Sequence, residues 1–334
     1  MTWEKCGRHA INISPMALDA NDDYTYGWKQ HSTTTMIRSA GSGAGIFMGI
    51  KLMKNILITG VSTGIGYGAT DQFIRKGYRV FGSVRRKEDG DRLQKTFGDR
   101  FTPLLFDLKD HEAIYRAAER LKYFIGDEGL AGLINNAGAA DSSPLMHTSI
   151  NNFREHLEVL LVGHLVVTQA FLPFLGAKKE CKHKPGRILF ISSVSGKRAA
   201  PFLGSYVAAK HALEGMANTL RIELQIYGID VIIVGPGFVK TPIIDKTPDD
   251  KYEEYVGTDY YEAAKKFSKM VTSLVSTEAY ELDEFSKILI EIFETKKPKT
   301  RYATVKNKFK NWTLTGLLSD RMMDKHIAKM LELK

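Results

Sequence analysis

The chain lacks most of the features that mark a secreted or membrane-spanning protein. Only two of its 334 residues are cysteines, Cys6 and Cys181, so no disulfide framework is expected and a reducing, cytoplasmic compartment is predicted. No window approaches the ~18 uninterrupted apolar residues of a membrane-spanning helix, so no span is predicted. No aromatic-rich, groove-reading motif is visible, which argues against a nucleic-acid partner. The remaining composition, with 43% apolar residues and 29 glycines, is that of an ordinary globular protein.

Positive charge is concentrated near the C-terminus. The formal net charge is +9, and residues 296–310 contain seven Lys or Arg and no acidic residue. This stretch is either a solvated surface segment or a weak peripheral contact for an anionic membrane. Apolar residues follow it or interrupt it, namely Phe309, Trp312, Leu314, Leu317 and Leu318. We therefore treat residues 301–334 as a basic amphipathic tail.

The beginning of the chain does not resemble a folded core. Residues 1–53 are polar and uneven in composition, and their acidic residues argue against an acid-poor transit peptide. We predict a disordered extension, with Met53 as an alternative start. The other interpretation is a regulatory or targeting extension.

From Lys54 onward, short apolar runs alternate with longer segments that have helical spacing. Runs such as "NILIT", "RILFIS" and "IDVIIVG" are continuous rather than alternating in polarity. Continuous apolar strands between helices indicate a parallel sheet that is covered on both faces. Residues 54 to about 300 are therefore predicted to form one doubly wound α/β domain.

The first predicted strand ends in a glycine-rich turn, "ITGVSTGIGYG". Gly60, Gly64 and Gly66 follow the strand directly and open a predicted helix. Glycines let the backbone approach a pyrophosphate, and a helix N-terminus offers free N–H donors and a favourable dipole. Tight strand–helix turns also use glycine for purely structural reasons, but this context favours a dinucleotide site.

The end of the second predicted strand indicates which dinucleotide is bound. An NAD site usually has an Asp or Glu there, which binds the ribose 2′-hydroxyl. Here the strand ends at Val84, followed by Arg85 and Arg86, with no carboxylate in place. Because a guanidinium pairs with a 2′-phosphate, NADP(H) is favoured over NAD(H). Alternatively, the arginines merely open a solvated helix.

Polar residues also end the third and fourth predicted strands. Asp107 is placed either to accept a hydrogen bond from an adenine amino group or to cap the next helix. Asn135, within "INNAG", suits a backbone bend beside a cofactor. Its side chain can equally stabilise the central sheet, and the two roles are compatible.

A serine, a tyrosine and a lysine follow in an order that suggests acid–base chemistry. Ser193 ends the fifth predicted strand, at the edge of the sheet where open α/β folds bind ligands. Tyr206 and Lys210 are four residues apart, so they share one face of a helix. A lysine ammonium near the phenol is expected to lower the pKa of the tyrosine, which makes Tyr206 a usable acid or base. Taken alone, the pair could equally be exposed on a helix surface.

These motifs together resemble the short-chain dehydrogenase/reductase family, over about residues 54–300. The resemblance implies a Rossmann-like single domain of about seven strands, with Ser193, Tyr206 and Lys210 as catalytic residues and no metal. It also implies that Lys210 binds the nicotinamide ribose and that "GPGFVKT" surrounds the nicotinamide. With Arg85 from the argument above, the expected cofactor-binding residues are Gly60, Ser62, Gly64, Ile65, Gly66, Arg85, Asp107, Asn135, Ala137, Tyr206, Lys210, Pro236, Gly237, Val239 and Thr241.

The resemblance further implies the reaction and the kind of substrate. We expect hydride transfer between NADP(H) and a carbonyl/alcohol pair, with Tyr206 as the general acid or base. Residues 242–275 are expected to form a substrate lid, whose Tyr and Phe content suits a lipophilic substrate such as a retinoid, a steroid or another aliphatic or aromatic carbonyl. A homodimer or homotetramer is expected, formed through helices at about 150–175 and 205–227.

One position departs from the family pattern. Members usually have an asparagine three residues before the glycine that corresponds to Gly163, and it holds a water that relays protons to the lysine. Here that residue is Leu160, which cannot hydrogen-bond a water. Either other waters replace the relay and activity persists, or the protein is a catalytically impaired cofactor-binding regulator or scaffold.

Overall fold

Seven parallel strands form the central sheet of the computed structural model, which describes residues 53–241 and 252–333. Their order across the sheet is β3-β2-β1-β4-β5-β6-β7, and each neighbouring pair is parallel. The strands are β1 Asn55–Ile58, β2 Arg79–Val84, β3 Phe101–Leu105, β4 Gly132–Asn135, β5 Arg187–Ile191, β6 Asp230–Pro236 and β7 Arg301–Thr304. The predicted doubly wound parallel sheet is thus confirmed.

Apolar residues on both sides of each central strand explain why the sheet is covered on both faces. Along β1, Ile56 and Ile58 belong to one core cluster, whereas Leu57 belongs to the other. Successive side chains of a strand point to opposite faces, so a continuous apolar run supplies two cores at once. The alternation places one layer of helices on each side of the sheet.

The helices pack on the two faces of the sheet and around its carboxyl edge. Within the described residues they are α1 Gly64–Arg75, α2 Lys87–Phe97, α3 His111–Ile125, α4 Ile150–Leu157, α5 Gly163–Phe171, α6 Gly204–Glu223, α7 Tyr261–Glu278, α8 Leu282–Glu294 and α9 Asp320–Leu331. Phe73 of α1 and Phe285 of α8 pack in one core cluster. Ile114 of α3, Phe171 of α5 and Leu213 of α6 pack in the other.

A π-helical turn, Glu158–Val162, joins α4 and α5 into one long helix. In length and composition the stretch Ile150–Leu175 could cross a membrane, with a mean hydropathy of 1.7 in its most apolar window. The sequence prediction of no span rested on uninterrupted apolar runs, which Glu158 and His164 break here. Phe171 is fully buried in the core. Packing against the sheet therefore accounts for part of the apolar character of this helix.

The boundaries differ from those expected. Strand β7 pairs with β6 at Arg301–Thr304, so the sheet continues past the boundary that the sequence placed at residue 300. The seventh strand was missed because it lies inside the basic stretch. The predicted disordered extension falls outside the described residues except for Met53, and so do residues 242–251 of the predicted lid.

Candidate active site

The glycine-rich turn after β1 is packed too tightly for larger residues. Gly60 has a φ of +69°, and a Cβ built on it would lie 2.7 Å from the Cα of Ala137. A Cβ on Gly66 would lie 2.2 Å from the Gly60 carbonyl oxygen. Both positions require glycine, since L side chains would clash or adopt a strained backbone. Helix α1 begins at Gly64, so its N-terminal N–H groups lie beside the turn.

The end of β4 is hydrogen-bonded to this turn through residues that the sequence reasoning did not single out. Thr59 Oγ1 accepts hydrogen bonds from the backbone N–H groups of Asn136 and Ala137, each at 2.9 Å. Asn136 Nδ2 donates to the carbonyl oxygens of Thr59 and Gly60, at 2.9 and 3.2 Å. Asn136 and Thr59 therefore fix the spacing between the glycine turn and β4. In the sequence, the two adjacent asparagines of "INNAG" were the feature that could have pointed to this role.

Asn135 has a structural contact of its own. It is fully buried, and its Nδ2 donates to Thr168 Oγ1 on α5 at 3.0 Å. The stabilising role that the sequence left open is thus present. Ala137, which was predicted beside the ribose, lies directly against Gly60 at the turn.

The end of β2 carries a group of basic side chains. Val84 is buried and Arg85 is exposed. Lys109 is near enough for its charge to interact with that of Arg85, although its ion pair with Glu155 raises the pKa of Lys109. Arg92 Nη2 donates to the Ser62 carbonyl oxygen in the glycine turn at 2.9 Å. Arg92 and Lys109 were missed by the sequence reasoning, because only the fold brings their elements to the mouth of the turn.

Asp107 does not cap the following helix. Its Oδ1 accepts a hydrogen bond from the Lys109 backbone N–H at 2.9 Å, whereas Asp110 caps α3 by accepting from Ala113 N. The capping alternative for Asp107 is therefore wrong. The carboxylate remains at the end of β3, next to the basic group.

Ser193, Tyr206 and Lys210 are brought together at the carboxyl edge of the sheet. The Ser193 hydroxyl lies close enough to the Tyr206 phenol to lower the pKa of the tyrosine, and it accepts a hydrogen bond from Ser195 N at 3.1 Å. Lys210 is only 4% exposed, and its Nζ donates to the Ile191 carbonyl oxygen at 2.8 Å. The same Nζ lies 5.7 Å from the centroid of the Tyr206 ring. Local spacing accounts for the Tyr206–Lys210 pair, which occupies successive turns of α6, whereas the fold brings Ser193 to it from the end of β5.

The protonation properties of the pair differ from the sequence expectation. Burial raises the pKa of Tyr206, and this outweighs the lowering that the hydrogen bond with Ser193 produces. Burial lowers the pKa of Lys210 to about 8, while the charge of Glu214 opposes that shift. The net change in the pKa of Tyr206 is therefore opposite to the predicted one. The tyrosine therefore holds its proton at neutral pH.

A buried charged group, which we call the Glu214 cluster, lies one helical turn beyond Lys210. It consists of Glu214, Ser192, Arg301 and Lys197. The Glu214 carboxylate is 1% exposed and accepts from Ser192 Oγ at 2.9 Å and from Arg301 Nε at 2.9 Å. Lys197 Nζ lies 3.4 Å from it. Arg301 Nη2 also donates to the Ser193 carbonyl oxygen at 3.2 Å, so this cluster supports the backbone of the serine.

The C-terminal segment packs onto the Glu214 cluster. The guanidinium carbons of Arg198 and Arg301 lie 4.3 and 4.8 Å from the centroid of the Trp312 ring. Such cation–π contacts are favourable. Arg198 Nη1 also donates to the Asn311 carbonyl oxygen at 2.9 Å. The sequence analysis treated residues 301–334 as a tail apart from the domain. These contacts attach that segment to the domain at the Glu214 cluster.

The Pro-Gly turn after β6 returns toward the glycine turn. Pro236 ends β6, and Gly237 N donates to the Thr304 carbonyl oxygen at 2.9 Å. Val239 is buried, and a Cβ built on Gly64 would lie 3.4 Å from the Thr241 side chain. The structure thus brings Thr241 next to the start of α1, and the placement of this loop around the nicotinamide stays a prediction.

Aromatic residues cover the same edge of the sheet. Tyr252, Tyr255 and Phe267 are each 5% exposed and pack with Phe202. The hydroxyl groups of Tyr252 and Ser142 are 2.8 Å apart. The described part of the predicted lid is therefore an apolar, aromatic layer.

The fold and these motifs have relatives among known proteins. A family model described as short chain dehydrogenase matches residues 54–252. The chain is 37% identical over 280 residues to the NADPH-dependent 3-dehydrocapnine reductase of Ornithobacterium rhinotracheale, covering 84% of this chain and 98% of that protein. It is 32% identical over 191 residues to retinol dehydrogenase 16 of Mus musculus, covering 57% and 58%.

A solved structure has the same fold. It is a short chain dehydrogenase from Burkholderia cenocepacia in complex with NADP, with a TM-score of 0.62 and 23% identity, covering 84% of this chain and 97% of that one. Together with the match of the family model over more than half of the sequence, the long alignment to the Ornithobacterium reductase settles the family membership. The chain belongs to the short-chain dehydrogenase/reductase family of oxidoreductases.

Proposed function

We propose that the protein reduces a carbonyl group on a lipophilic substrate with NADPH, or oxidises the corresponding alcohol with NADP⁺. The observation that carries this proposal is the convergence of Ser193, Tyr206 and Lys210 beside a glycine turn. That turn fits a dinucleotide, because it leads from β1 directly into α1, whose N-terminal N–H groups and dipole favour a pyrophosphate. Arg85 and Arg92 add positive charge at its mouth.

When bound, NADPH supplies the hydride for the carbonyl carbon. The roles of the protein groups follow from their positions. Tyr206 donates its proton to the carbonyl oxygen as negative charge develops there, since its raised pKa keeps it protonated. Ser193 hydrogen-bonds the same oxygen and orients it. The Lys210 ammonium stabilises the tyrosinate that remains. In the reverse direction Tyr206 acts as the base.

The preference for NADP(H) rests on the basic group at the end of β2. No carboxylate stands at Val84, and the exposed Arg85 can bind a 2′-phosphate. The NADPH dependence named for the Ornithobacterium relative supports this. Arg85→Asp is expected to lower kcat/KM for NADPH by about tenfold to a hundredfold, because a charged hydrogen bond contributes about 1.5–3 kcal/mol.

The measurement for this preference is the steady-state rate with NADPH and with NADH on a panel of carbonyl substrates. Lys95→Asp is a matched control, since it makes the same charge change at an exposed position of α2. A wild-type preference for NADH would show that the interpretation of β2 is wrong.

The lipophilic substrate class is supported by the aromatic layer at the sheet edge. Tyr252, Tyr255 and Phe267 pack with Phe202, which precedes Tyr206 by four residues, and a retinol dehydrogenase is among the relatives. The carbonyl panel should therefore range from small polar aldehydes to retinoids and steroid ketones. We expect KM to fall as the apolar area of the substrate increases. Equal KM values across the panel would contradict this assignment.

A second candidate function is that of a cofactor-binding regulator without turnover. Leu160 favours it, since it is buried and apolar where the family has an asparagine. Tight NADPH binding, with no oxidation across the panel and none gained by Leu160→Asn, would support the regulator. We favour the enzyme, because Ser193, Tyr206 and Lys210 converge in the geometry described above.

We also propose a homo-oligomer formed through α4–α5 and α6. Ile150, Ile222 and Ile226 are large apolar side chains at least 62% exposed on or next to these helices. Burying them against a second copy would stabilise the assembly. Light scattering should give a multiple of the chain mass for the wild type and a smaller mass for Ile222→Glu/Ile226→Glu. A monomeric wild type would contradict the proposal.

For localisation we propose the cytoplasm, with a weak peripheral contact to anionic membranes. Phe309 and Leu317 are 75% and 79% exposed, beside the exposed Lys308 and Lys310. Phe309→Ser/Leu317→Ser should reduce sedimentation with phosphatidylserine vesicles. Tyr123→Ser is the control, as an aromatic residue 78% exposed elsewhere. Equal partition of wild type and tail variant would exclude the contact.

A further inference from the structure

His164 is a buried titratable residue that the mechanism above does not use. It lies on α5, one helical turn after Leu160, and it is 0% exposed. Its Nε2 is 2.9 Å from the Ala137 carbonyl oxygen. A carbonyl can only accept, so Nε2 carries the hydrogen and Nδ1 presents a lone pair. That Nδ1 is buried and makes no hydrogen bond with any group in the described part of the chain.

A second unpaired acceptor belongs to the same group of side chains. Asn135 Nδ2 donates to Thr168 Oγ1, and Thr168 Oγ1 donates to the His164 carbonyl oxygen at 2.7 Å. Asn135 Oδ1 is buried and, within the described residues, has no partner. We call these three residues the His164 cluster. Buried polar atoms are almost always hydrogen-bonded, and a water with two hydrogens suits a cluster that has two free acceptors.

The π-helical turn Glu158–Val162, which directly precedes the helix of His164, packs against α6, the helix that carries Lys210. The Lys210 ammonium adds to the lowering of the pKa of His164, which burial brings to about 3. The imidazole is therefore neutral at physiological pH. Lys210 Nζ has three hydrogens, and the Ile191 carbonyl oxygen is its one hydrogen-bond acceptor within the described residues. At least one ammonium hydrogen is thus available to a water between Lys210 and His164.

Leu160 closes the position that the family's asparagine would occupy. It is 1% exposed, and its Cδ2 packs so closely against Gly138 that a Cβ there would lie 2.7 Å away. One turn further on, His164 presents a polar side chain on the same face of the helix. The π-helical turn Glu158–Val162 separates this segment from α4.

We propose that His164 is a positioning residue whose Nδ1 holds a buried water against Lys210 Nζ, and that this water replaces the one expected at residue 160. Each turnover as a reductase moves one proton from Tyr206 to the substrate oxygen. Lys210 returns one proton to the tyrosinate, and the water passes one proton to Lys210, drawn in turn from solvent. The inference rests on the proposed function for its kinetic test.

Two single substitutions separate this role from a purely structural one. His164→Asn places an amide near the position of Nδ1 and loses the contact with Ala137. His164→Gln reaches the position of Nε2, keeps the contact with Ala137 and loses Nδ1. A relay through Nδ1 predicts that His164→Gln lowers kcat by about tenfold, which corresponds to one buried hydrogen bond. His164→Asn should retain more of the wild-type kcat, with KM for the carbonyl nearly unchanged in both.

A purely structural histidine predicts the reverse order. In that case His164→Asn would lose stability and activity together, while His164→Gln would resemble the wild type, and this result would overturn the proposal. Proton inventories in mixtures of H₂O and D₂O add a readout that packing alone does not move. The solvent isotope effect on kcat should change in His164→Gln and not in His164→Asn.

Rescue provides a further test at Leu160. In the His164→Gln background, Leu160→Asn should restore kcat several-fold, because it returns an amide to the family position. In the wild-type background the same substitution should change kcat little. Absence of rescue, together with unchanged isotope effects, would contradict a water shared with Lys210.

The ¹⁵N chemical shifts of His164 in the full chain do not depend on turnover. We expect a neutral Nε2–H tautomer with Nδ1 shifted as for a hydrogen-bond acceptor. A shift typical of a free imidazole nitrogen would overturn the proposal. If the wild type oxidises no NADPH on any carbonyl but Nδ1 shows the hydrogen-bonded shift, then the proposed function fails while the bound water stands.

Discussion

Two buried polar groups flank Lys210, and they differ in how completely their hydrogen bonds are satisfied. In the Glu214 cluster, both carboxylate oxygens accept bonds from Arg301, and one of them also accepts from Ser192. In the His164 cluster, two buried acceptor atoms remain without a partner in the described residues. A saturated cluster rigidifies its surroundings, whereas an unsaturated one is suited to hold a small ligand such as water.

The two clusters therefore have different roles beside Lys210. The Glu214 cluster fixes the Ser193 backbone and opposes the fall in the pKa of Lys210. The His164 cluster leaves two buried acceptors without a partner in the described residues. We expect the first cluster to govern stability and the second to govern proton supply. Four experiments test that division, and the first is the substitution that should cost the most activity.

Lys210→Met removes the ammonium group that the two clusters flank. We expect the rate constant for carbonyl reduction to fall by about 10²- to 10⁴-fold, the range lost with a positioned acid–base group. The measurement is NADPH oxidation under saturating substrate, with NADPH binding followed by fluorescence. His211→Met on the same helix is the control, because His211 is exposed. A loss below tenfold would show that Lys210 is not part of the chemistry.

Glu214→Gln tests the saturated cluster. It leaves the Arg301 charge, whose side chain is 17% exposed, without its carboxylate. We expect a loss of about 3 kcal/mol in the free energy of unfolding, as for other broken buried pairs. Urea denaturation measures it, with the exposed Glu223→Gln on α6 as the control. A cost no greater than that of the control would mean that the cluster does not stabilise the fold.

Thr168→Val tests the unsaturated cluster with a substitution of similar shape. It removes the hydroxyl that accepts from Asn135 and donates to the His164 carbonyl oxygen. Because these groups are neutral, we expect the free energy of unfolding to fall by about 1–2 kcal/mol, which is less than for Glu214→Gln. Urea denaturation of both variants under one set of conditions gives the order. A larger cost for Thr168→Val would reverse the comparison.

The pH dependence of activity is the mildest test, because we expect its alkaline limb to shift and not the activity to be lost. The Lys210 ammonium is needed to stabilise the tyrosinate, and its pKa is about 8. Activity should therefore be present below pH 8 and fall as the pH rises through that value. Glu214 raises this pKa, so Glu214→Gln should move the alkaline limb of kcat/KM to lower pH. If the alkaline limb stays in place or moves to higher pH, its pKa does not belong to Lys210.

Local motifs made much of the site predictable from the sequence. Tyr206 and Lys210 are four residues apart on one helix, and Gly60 to Gly66 form one turn, so their relative placement follows from spacing alone. By contrast, Glu214 and Arg301 are separated by 87 residues and meet only because β7 closes the sheet beside β6.

Other features depended on burial, which spacing does not reveal. The predicted fall in the pKa of Tyr206 considered the charge of Lys210 but not the larger effect of removing the phenol from water. The sequence analysis did not single out His164. Its unpaired Nδ1 became visible only when the contacts of the ring were known.

The central claim is that Tyr206 is the proton donor in an NADPH-dependent carbonyl reduction. The most direct measurement is NADPH oxidation by wild type and Tyr206→Phe with one lipophilic aldehyde, alongside NADPH binding by each. We predict turnover by the wild type, a loss of at least about 10²-fold in Tyr206→Phe, and similar NADPH binding. Equal rates in the two proteins, or no turnover by a wild type that binds NADPH, would contradict the account.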